Sequence, residues 1–363
     1  MALSDYPRAV LTACLALLPL LGYKIYQDYI KDDKNAIKAK QLGDTLRAQL
    51  GRECRFRLDN DTSATITLPD YRKLGCAEYG QPDGKPIIML HGLPGSRLEM
   101  AWQDEYAKKI GARIIGVDRP GVGWSSPHPG RTHLSFAQDI KCLTDALQLD
   151  QYAVIGTSGG GPYVMACAAY LPANRLKAIA NVTGMGDIQR YKSTGMGWPN
   201  WLGYRYIIHW APWFFRWHSS RYLWPKDRLH LSEEEKLRKW IDEIATPSAN
   251  PKDLDAWAAS AGVDLLRLAM TAGQEYFQDG FDTLIQDATL LGSKWDFRVE
   301  DIRPDLPMHL WFGKQDKNVS VYHGVEIAKR FRGKARLHYL DETHLSLQVR
   351  YFNQILDDLV AEF

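Results

Sequence analysis

The chain lacks an excess of charge of either sign. Its 363 residues carry 45 Lys+Arg against 43 Asp+Glu, a net charge of +2. So even a balance gives no field to draw a polyanion, and a nucleic-acid partner is not expected. Cysteine is scarce as well. Cys14, Cys54, Cys76, Cys142 and Cys167 are odd in number and form no C-x-x-C pair, which excludes a disulfide framework or a zinc site and predicts free thiols. Repeats and low-complexity tracts are missing. The glycine-containing segment Asp118-Arg119-Pro120-Gly121-Val122-Gly123-Trp124-Ser125 has neither G-x-G-x-x-G spacing nor a Walker lysine, so it does not read as a nucleotide loop. No cofactor and no metal are expected.

Long apolar runs are also rare, with one instance at the amino end. Ala9 to Tyr23 holds no charge and is bounded by Arg8 and Lys24. As a helix those residues would reach about 22 Å, short of the ~30 Å hydrocarbon core unless residues 24–26 extend the span. Lys24, Lys31, Lys34, Lys38 and Lys40 follow the run and only Arg8 precedes it, so membrane association through residues 9–26 would leave the body cytoplasmic. A cleaved signal peptide, an apolar docking helix and a soluble cytoplasmic chain are the alternatives.

From there the sequence divides into a helical connector (31–63), an α/β core (64–183 and 303–363) and an aromatic-rich insertion (184–302). Short apolar strands are predicted at 64–68, 72–79, 86–90, 113–117, from 151 running into Gly156, and at 176–182, 308–312 and 336–339. Helices are expected near 96–110, 135–147, 161–171 and 321–331 and from about Ser346. That alternation implies a mostly parallel sheet covered by helices on both faces. Nine of the twelve tryptophans fall in the insertion (Trp198, Trp201, Trp210, Trp213, Trp217, Trp224, Trp240, Trp257, Trp295). Most of them are expected to form the core of a small helical unit, with some rings facing a ligand above the carboxyl ends of the strands.

What carries chemistry is the stretch Gly156-Thr157-Ser158-Gly159-Gly160, set between an apolar strand and a helix of small residues. G-x-S-x-G in that context lifts a serine oxygen clear of the sheet on a sharp turn. Ser158 is expected at positive φ, and a Cβ at Gly156 or Gly160 would collide with backbone.

A nucleophilic serine needs a base, and the base needs an orienting carboxylate. Of ten histidines, His338 falls inside a predicted strand and His323 at a helix start. His344 follows the last strand, in Asp341-Glu342-Thr343-His344, where such sheets place reactive groups. For the carboxylate, Asp316 follows the strand at 308–312 and gives the chain order Ser, Asp, His; Asp187, after the preceding strand, is its competitor. Oxyanion donors are expected from Gly159 N–H and, in His91-Gly92-Leu93-Pro94-Gly95, from Leu93, because Pro94 has no N–H. His91 is read as shaping that loop.

These residues together resemble the α/β-hydrolase superfamily over about residues 64–363. The likeness implies an α/β-hydrolase fold with a helical lid inserted after strand 6, and a triad of Ser158, Asp316 and His344. It also implies that Asp287 to Ile302, with Trp295-Asp296-Phe297, closes the lid. A serine at the elbow disfavours epoxide hydrolase and dehalogenase activity, for which members of the superfamily carry aspartate there. The expected activity is hydrolysis of an ester-like bond in a largely apolar small molecule through an acyl-enzyme. The same triad could instead serve C–C cleavage, acyl transfer or cyclisation, and a non-catalytic ligand receptor is the third reading.

Overall fold

The computed structural model describes residues 33–190, 195–224, 230–259 and 262–363. The uncharged run at 9–23 and its possible extension to 26 lie outside them, as does Cys14. Cys54, Cys76, Cys142 and Cys167 are free thiols.

Eight strands form one sheet in the order β1-β2-β4-β3-β5-β6-β7-β8. They span Ser63–Thr67 (β1), Lys73–Gly80 (β2), Lys85–Leu90 (β3), Ala112–Val117 (β4), Tyr152–Thr157 (β5), Leu176–Val182 (β6), Met308–Gly313 (β7) and Ala335–Leu340 (β8). β2 runs antiparallel to both β1 and β4. Every pairing from β4 through β3, β5, β6 and β7 to β8 is parallel. Central strands of such a sheet are apolar on both faces, and β5 and β7 are buried along their whole lengths.

The period of two in a strand splits each one between two cores. Ile88 and Leu90 of β3, with Ile115 and Val117 of β4, face one core; Ile87, Met89 and Ile114 face the other. The first core is closed by helices α3 (His133–Ala146), α4 (Gly161–Tyr170) and α9 (Val321–Arg330), which contribute Phe136, Val164 and Ile327. The second is closed by α2 (Asp104–Ile110) and α10 (His344–Val360), through Ala107, Leu347 and Phe352. The helix expected near 96–110 is two elements, a 3-10 stretch at Arg97–Gln103 running into α2.

Between β6 and β7 the chain leaves the sheet. A succession of short helical turns from Trp198 to Leu223 is followed by α5 (Glu233–Ile244), α6 (Pro251–Ala259), α7 (Val263–Phe277) and α8 (Asp282–Gly292). The connector helix α1 (Asp33–Arg47) packs on these inserted helices, burying Ala39, Leu42 and Leu46 against Leu237, Ile241 and Leu254. Asn35 donates to the carbonyls of Pro247 and Ala249, and Lys38 pairs with Asp255.

The tryptophans of the insertion depart from the expected core. Trp295 is buried, but Trp198, Trp210, Trp213 and Trp217 are 57, 85, 71 and 53 % exposed. Helices only three to seven residues long offer one narrow buried stripe, and here Gly203, Ile208 and Ser219 occupy it. The large rings are left outside. No helix among the described residues is long and apolar enough to cross a membrane.

Candidate active site

Ser158 stands at the end of β5, with φ of +48°. The crowding foreseen at its flanking glycines is present: a Cβ on Gly156 would lie 2.6 Å from Gly160 O, and one on Gly160 would lie 2.2 Å from Leu90 O. A side chain at either position would push the elbow away from the strands it rests on. α4 then begins immediately, with Pro162 in its first turn.

His344 opens α10, two residues earlier than the helix start read from the sequence. Thr343 is the cap: its side chain accepts from Ser346 N–H, and Ser346 Oγ accepts from Thr343 N–H. The imidazole Nδ1 lies 2.7 Å from Asp316 Oδ2. Asp316, whose side chain has no exposed surface, is held in turn by the N–H groups of Asn318 and Val319, which donate to its Oδ1 at 2.8 and 2.9 Å. Burial opposes the charged imidazole, but the Asp316 carboxylate, with help from Asp253 and Glu99, outweighs it and raises the pKa of His344 above 6.5. With Nδ1–H donated to Asp316, Nε2 carries the lone pair.

The other candidates are engaged elsewhere. Asp187 is buried, accepts from Gln189 N–H and pairs with Arg190 at 2.9 Å. Nδ1 of His323 accepts from Gly186 N–H at 2.6 Å, and burial holds this histidine down at about 4. His338 lies within β8, stacked 3.6 Å from the ring of Trp311. His309, His338 and Asp358 do place one donor atom each within 4.8 Å of one another. The guanidinium of Arg336 sits 3.2 Å from His309 Nε2 and already supplies a cation there.

Leu93 and Gly159 face each other. A Cβ on Gly159 would stand 2.8 Å from Leu93 Cβ and 3.3 Å from Leu93 N, and both residues line the same cavity as Ser158. His91 is fully buried; its Nδ1 bonds to Gly92 O at 2.9 Å and its Nε2 accepts from Arg119 N–H at 3.2 Å. Burial, reinforced by the Arg119 charge, keeps it well below its usual pKa and neutral.

Two carboxylates here went unnoticed in the sequence. Glu99 accepts from Gly92 N–H and from Thr157 Oγ1, both at 2.8 Å, and so ties the Leu93 loop to the strand carrying Ser158. Burial raises its pKa against the pull of the Gly92 N–H. Asp287 of α8 is buried between Arg119 and Arg131 and accepts from the hydroxyls of Tyr163 and Tyr276. Those guanidiniums hold it down at about 2 in spite of its burial. Arg119 also donates to the carbonyls of His91 and Gly92. Nothing in the local sequence of either carboxylate sets it apart from a surface acid.

Two chambers meet at Ser158. The larger, roughly 440 Å³, is lined by Ser158, His344, Trp224, Trp240, Trp257 and Leu268 among others. The smaller, roughly 270 Å³, shares Leu93, Ser158, Leu223 and His344 with it and adds Asn200 and Asn318.

A family model described as alpha/beta hydrolase fold matches residues 85–350. Among curated proteins, a non-heme chloroperoxidase of Streptomyces lividans is 33% identical over 117 residues, 32% of this chain and 42% of that protein. A proline iminopeptidase of Xanthomonas citri is 32% identical over 108 residues, 29% of this chain and 34% of that protein. The chain therefore spans less than half the length of these relatives. Among solved structures, a hydrolase from Pseudomonas aeruginosa superposes with a TM-score of 0.56 at 18% identity, covering 83% of this chain and 98% of that one. An enol-lactonase from Burkholderia xenovorans does so with 0.51 at 17% identity, covering 82% and 100%. Likeness at that identity concerns the fold.

Proposed function

The chain belongs to the α/β-hydrolase fold family, and on that premise we propose that it is a serine hydrolase acting on an ester-like bond of a largely apolar small molecule. The observation that carries this reading is the Asp316–His344 pair at 2.7 Å, set on a cavity that Ser158 also lines.

Ser158 Oγ attacks the substrate carbonyl and gives its proton to His344 Nε2, while Asp316 keeps Nδ1–H in place and stabilises the imidazolium. Negative charge developing on the carbonyl oxygen falls between the N–H groups of Leu93 and Gly159. The imidazolium then protonates the leaving oxygen, and water, activated by the same histidine, releases the acyl group from Ser158. No cofactor or metal takes part in these steps.

The chambers support a choice of substrate class. Tryptophan and leucine line the larger one, which suits an apolar group; the smaller, with Asn200 and Asn318, suits the more polar side of the bond. In this reading the helices inserted over 184–302 act as a lid. The names of relatives extend the range to be tried to lactones and N-terminal peptide bonds. The aromatic wall formed by Trp224, Trp240 and Trp257 also favours, as a second reading, an acyl-enzyme intercepted by an acceptor other than water.

A fluorophosphonate should label the wild-type chain on Ser158 and leave Ser158→Ala unlabelled. Ser158→Ala should also lose about 10³-fold or more of its turnover on an ester panel; equal labelling of the two proteins would refute the assignment. Isotopically labelled water separates hydrolysis, which must place the label in the acid product, from acyl transfer, which need not.

A further inference from the structure

From 188 to 226 the sequence contains no aspartate and no glutamate, while Arg190, Lys192, Arg205, Arg216, Arg221 and Lys226 lie in it. Among the described residues, the part of this stretch between Trp198 and Leu223 holds six of the ten large aromatic side chains that are exposed. Trp210 is 85 % exposed, Trp213 71 %, Tyr222 65 % and Trp217 53 %. Trp213 and Trp217, four positions apart, share one side of the helix at Pro212–His218, and Tyr206 and Trp210 lie on the helical turns before the break at Ala211.

The rings are not scattered. Phe214 lies 6.0 Å from Trp213 and 5.5 Å from Trp217, and Trp217 is 6.5 Å from Tyr222. Arginines are interleaved with them: Arg205 lies over the Tyr206 ring, Arg221 is exposed, and Arg216 pairs with Asp282 across the insertion. An exposed apolar cluster of this kind marks a contact surface. Tryptophan and tyrosine mixed with arginine, in a stretch that itself carries no acid, is the composition that settles at the headgroup level of an anionic bilayer, because the rings are apolar bodies with a polar edge.

We propose that this aromatic and basic face docks on an anionic lipid surface, with Trp210, Trp213 and Trp217 inserted among the headgroups. Leu223 belongs both to this exposed stretch and to the wall of the two chambers at Ser158. The docking face is therefore continuous with the mouth of the cavity. α1, whose first described residue is Asp33, packs on the same inserted helices, and the uncharged run Ala9 to Tyr23 precedes it in the sequence. Docking itself does not depend on the hydrolase reading. Delivery of an apolar substrate from the lipid to Ser158 does.

The test uses the full chain, with vesicles of phosphatidylglycerol mixed with brominated phosphatidylcholine and vesicles of brominated phosphatidylcholine alone. Bromine quenches indole fluorescence at headgroup and upper-chain depth. The wild type should be quenched on the anionic vesicles, less on the neutral ones and less at high salt. A W210S/W213S/W217S triple variant should lose that quenching and at least about tenfold in partition, with an unchanged melting curve and unchanged turnover of a soluble short-chain ester, since none of the three rings lines the chambers. Ser158→Ala should bind vesicles like the wild type, so a failed catalytic assignment and a failed docking assignment give different results. Equal quenching and partition for the wild type and the triple variant would overturn the proposal, as would binding through residues 9–26 alone with the three rings unquenched. A dimer in solution that the triple variant dissolves, with no vesicle quenching, would assign the face to a second copy and overturn it too.

Discussion

Asp287 and Arg119 form an ion pair at 3.0 Å with both side chains 1 % exposed. Asp287 belongs to the insertion, on α8, and Arg119 to the loop after β4. Because Arg119 also donates to the carbonyls of His91 and Gly92, the pair connects the inserted helices to the loop that carries the Leu93 N–H. Removing the acid leaves Arg119 and Arg131 buried without it. Asp287→Ala should lower stability by about 3–5 kcal/mol, measured by urea unfolding; a loss below about 1 kcal/mol would show that the network relaxes at little cost.

The same group contributes to the acid sensitivity of the fold. Its pKa is near 2 in the folded chain against an ordinary 3.8. A lowered carboxylate pKa gives stability that is complete above the unfolded value and is lost as pH falls through the folded one, about 2 kcal/mol in all. Unfolding followed between pH 5 and pH 2 should therefore be less acid-sensitive in Asp287→Asn than in the wild type.

For His344 the sign is opposite. Its pKa is raised above 6.5, so the stabilisation from its pairing with Asp316 is complete below the unfolded value and declines as pH rises through the folded one. In the proposed mechanism His344 must be neutral to accept the Ser158 proton, so kcat/KM should increase over that interval as this stabilisation falls. In Asp316→Asn the amide would donate to Nδ1 and move the imidazole proton to Nε2. Turnover should fall roughly 10⁴-fold with little change in KM; a pH–rate profile that stays flat above pH 6.5 would argue that another group is the base.

Glu99→Ala would leave the Gly92 N–H and the Thr157 hydroxyl without their acceptor. The expected cost is about 1–3 kcal/mol in stability. A fall in kcat is expected as well, because the Leu93 donor loses its support on one side. If stability drops and kcat is unaffected, Glu99 is a packing element only.

At the elbow, Gly160→Ala should be far worse than its single methyl suggests, since the new Cβ would meet Leu90 O at 2.2 Å and His91 O at 3.0 Å. A loss above about 3 kcal/mol, or failure to accumulate as soluble protein, is expected. Gly51→Ala, with open space around it, is the matched control and should stay within about 0.5 kcal/mol.

Residues that answer to their own backbone could be read from the chain alone. The turn at Ser158 is legible in five consecutive letters, although what forbids a Cβ at Gly160 is Leu90 O of β3, 70 positions away. Strands such as β5 and β7, buried on both faces, announce themselves as apolar runs. His344 could be placed after the last strand by counting elements. Other features depend on distances that local sequence does not encode. Asp316 and Asp187 both follow a strand, and only the position of α10 against β7 brings Asp316 to the imidazole while Asp187 turns to Arg190. Glu99 meets Thr157, and Asp287 meets Arg119, across 58 and 168 positions. The tryptophans of the insertion show the same division: their number is evident in the sequence, but whether a ring is buried, lines the cavity or faces solvent follows from which side of each short helix finds a neighbour to pack on.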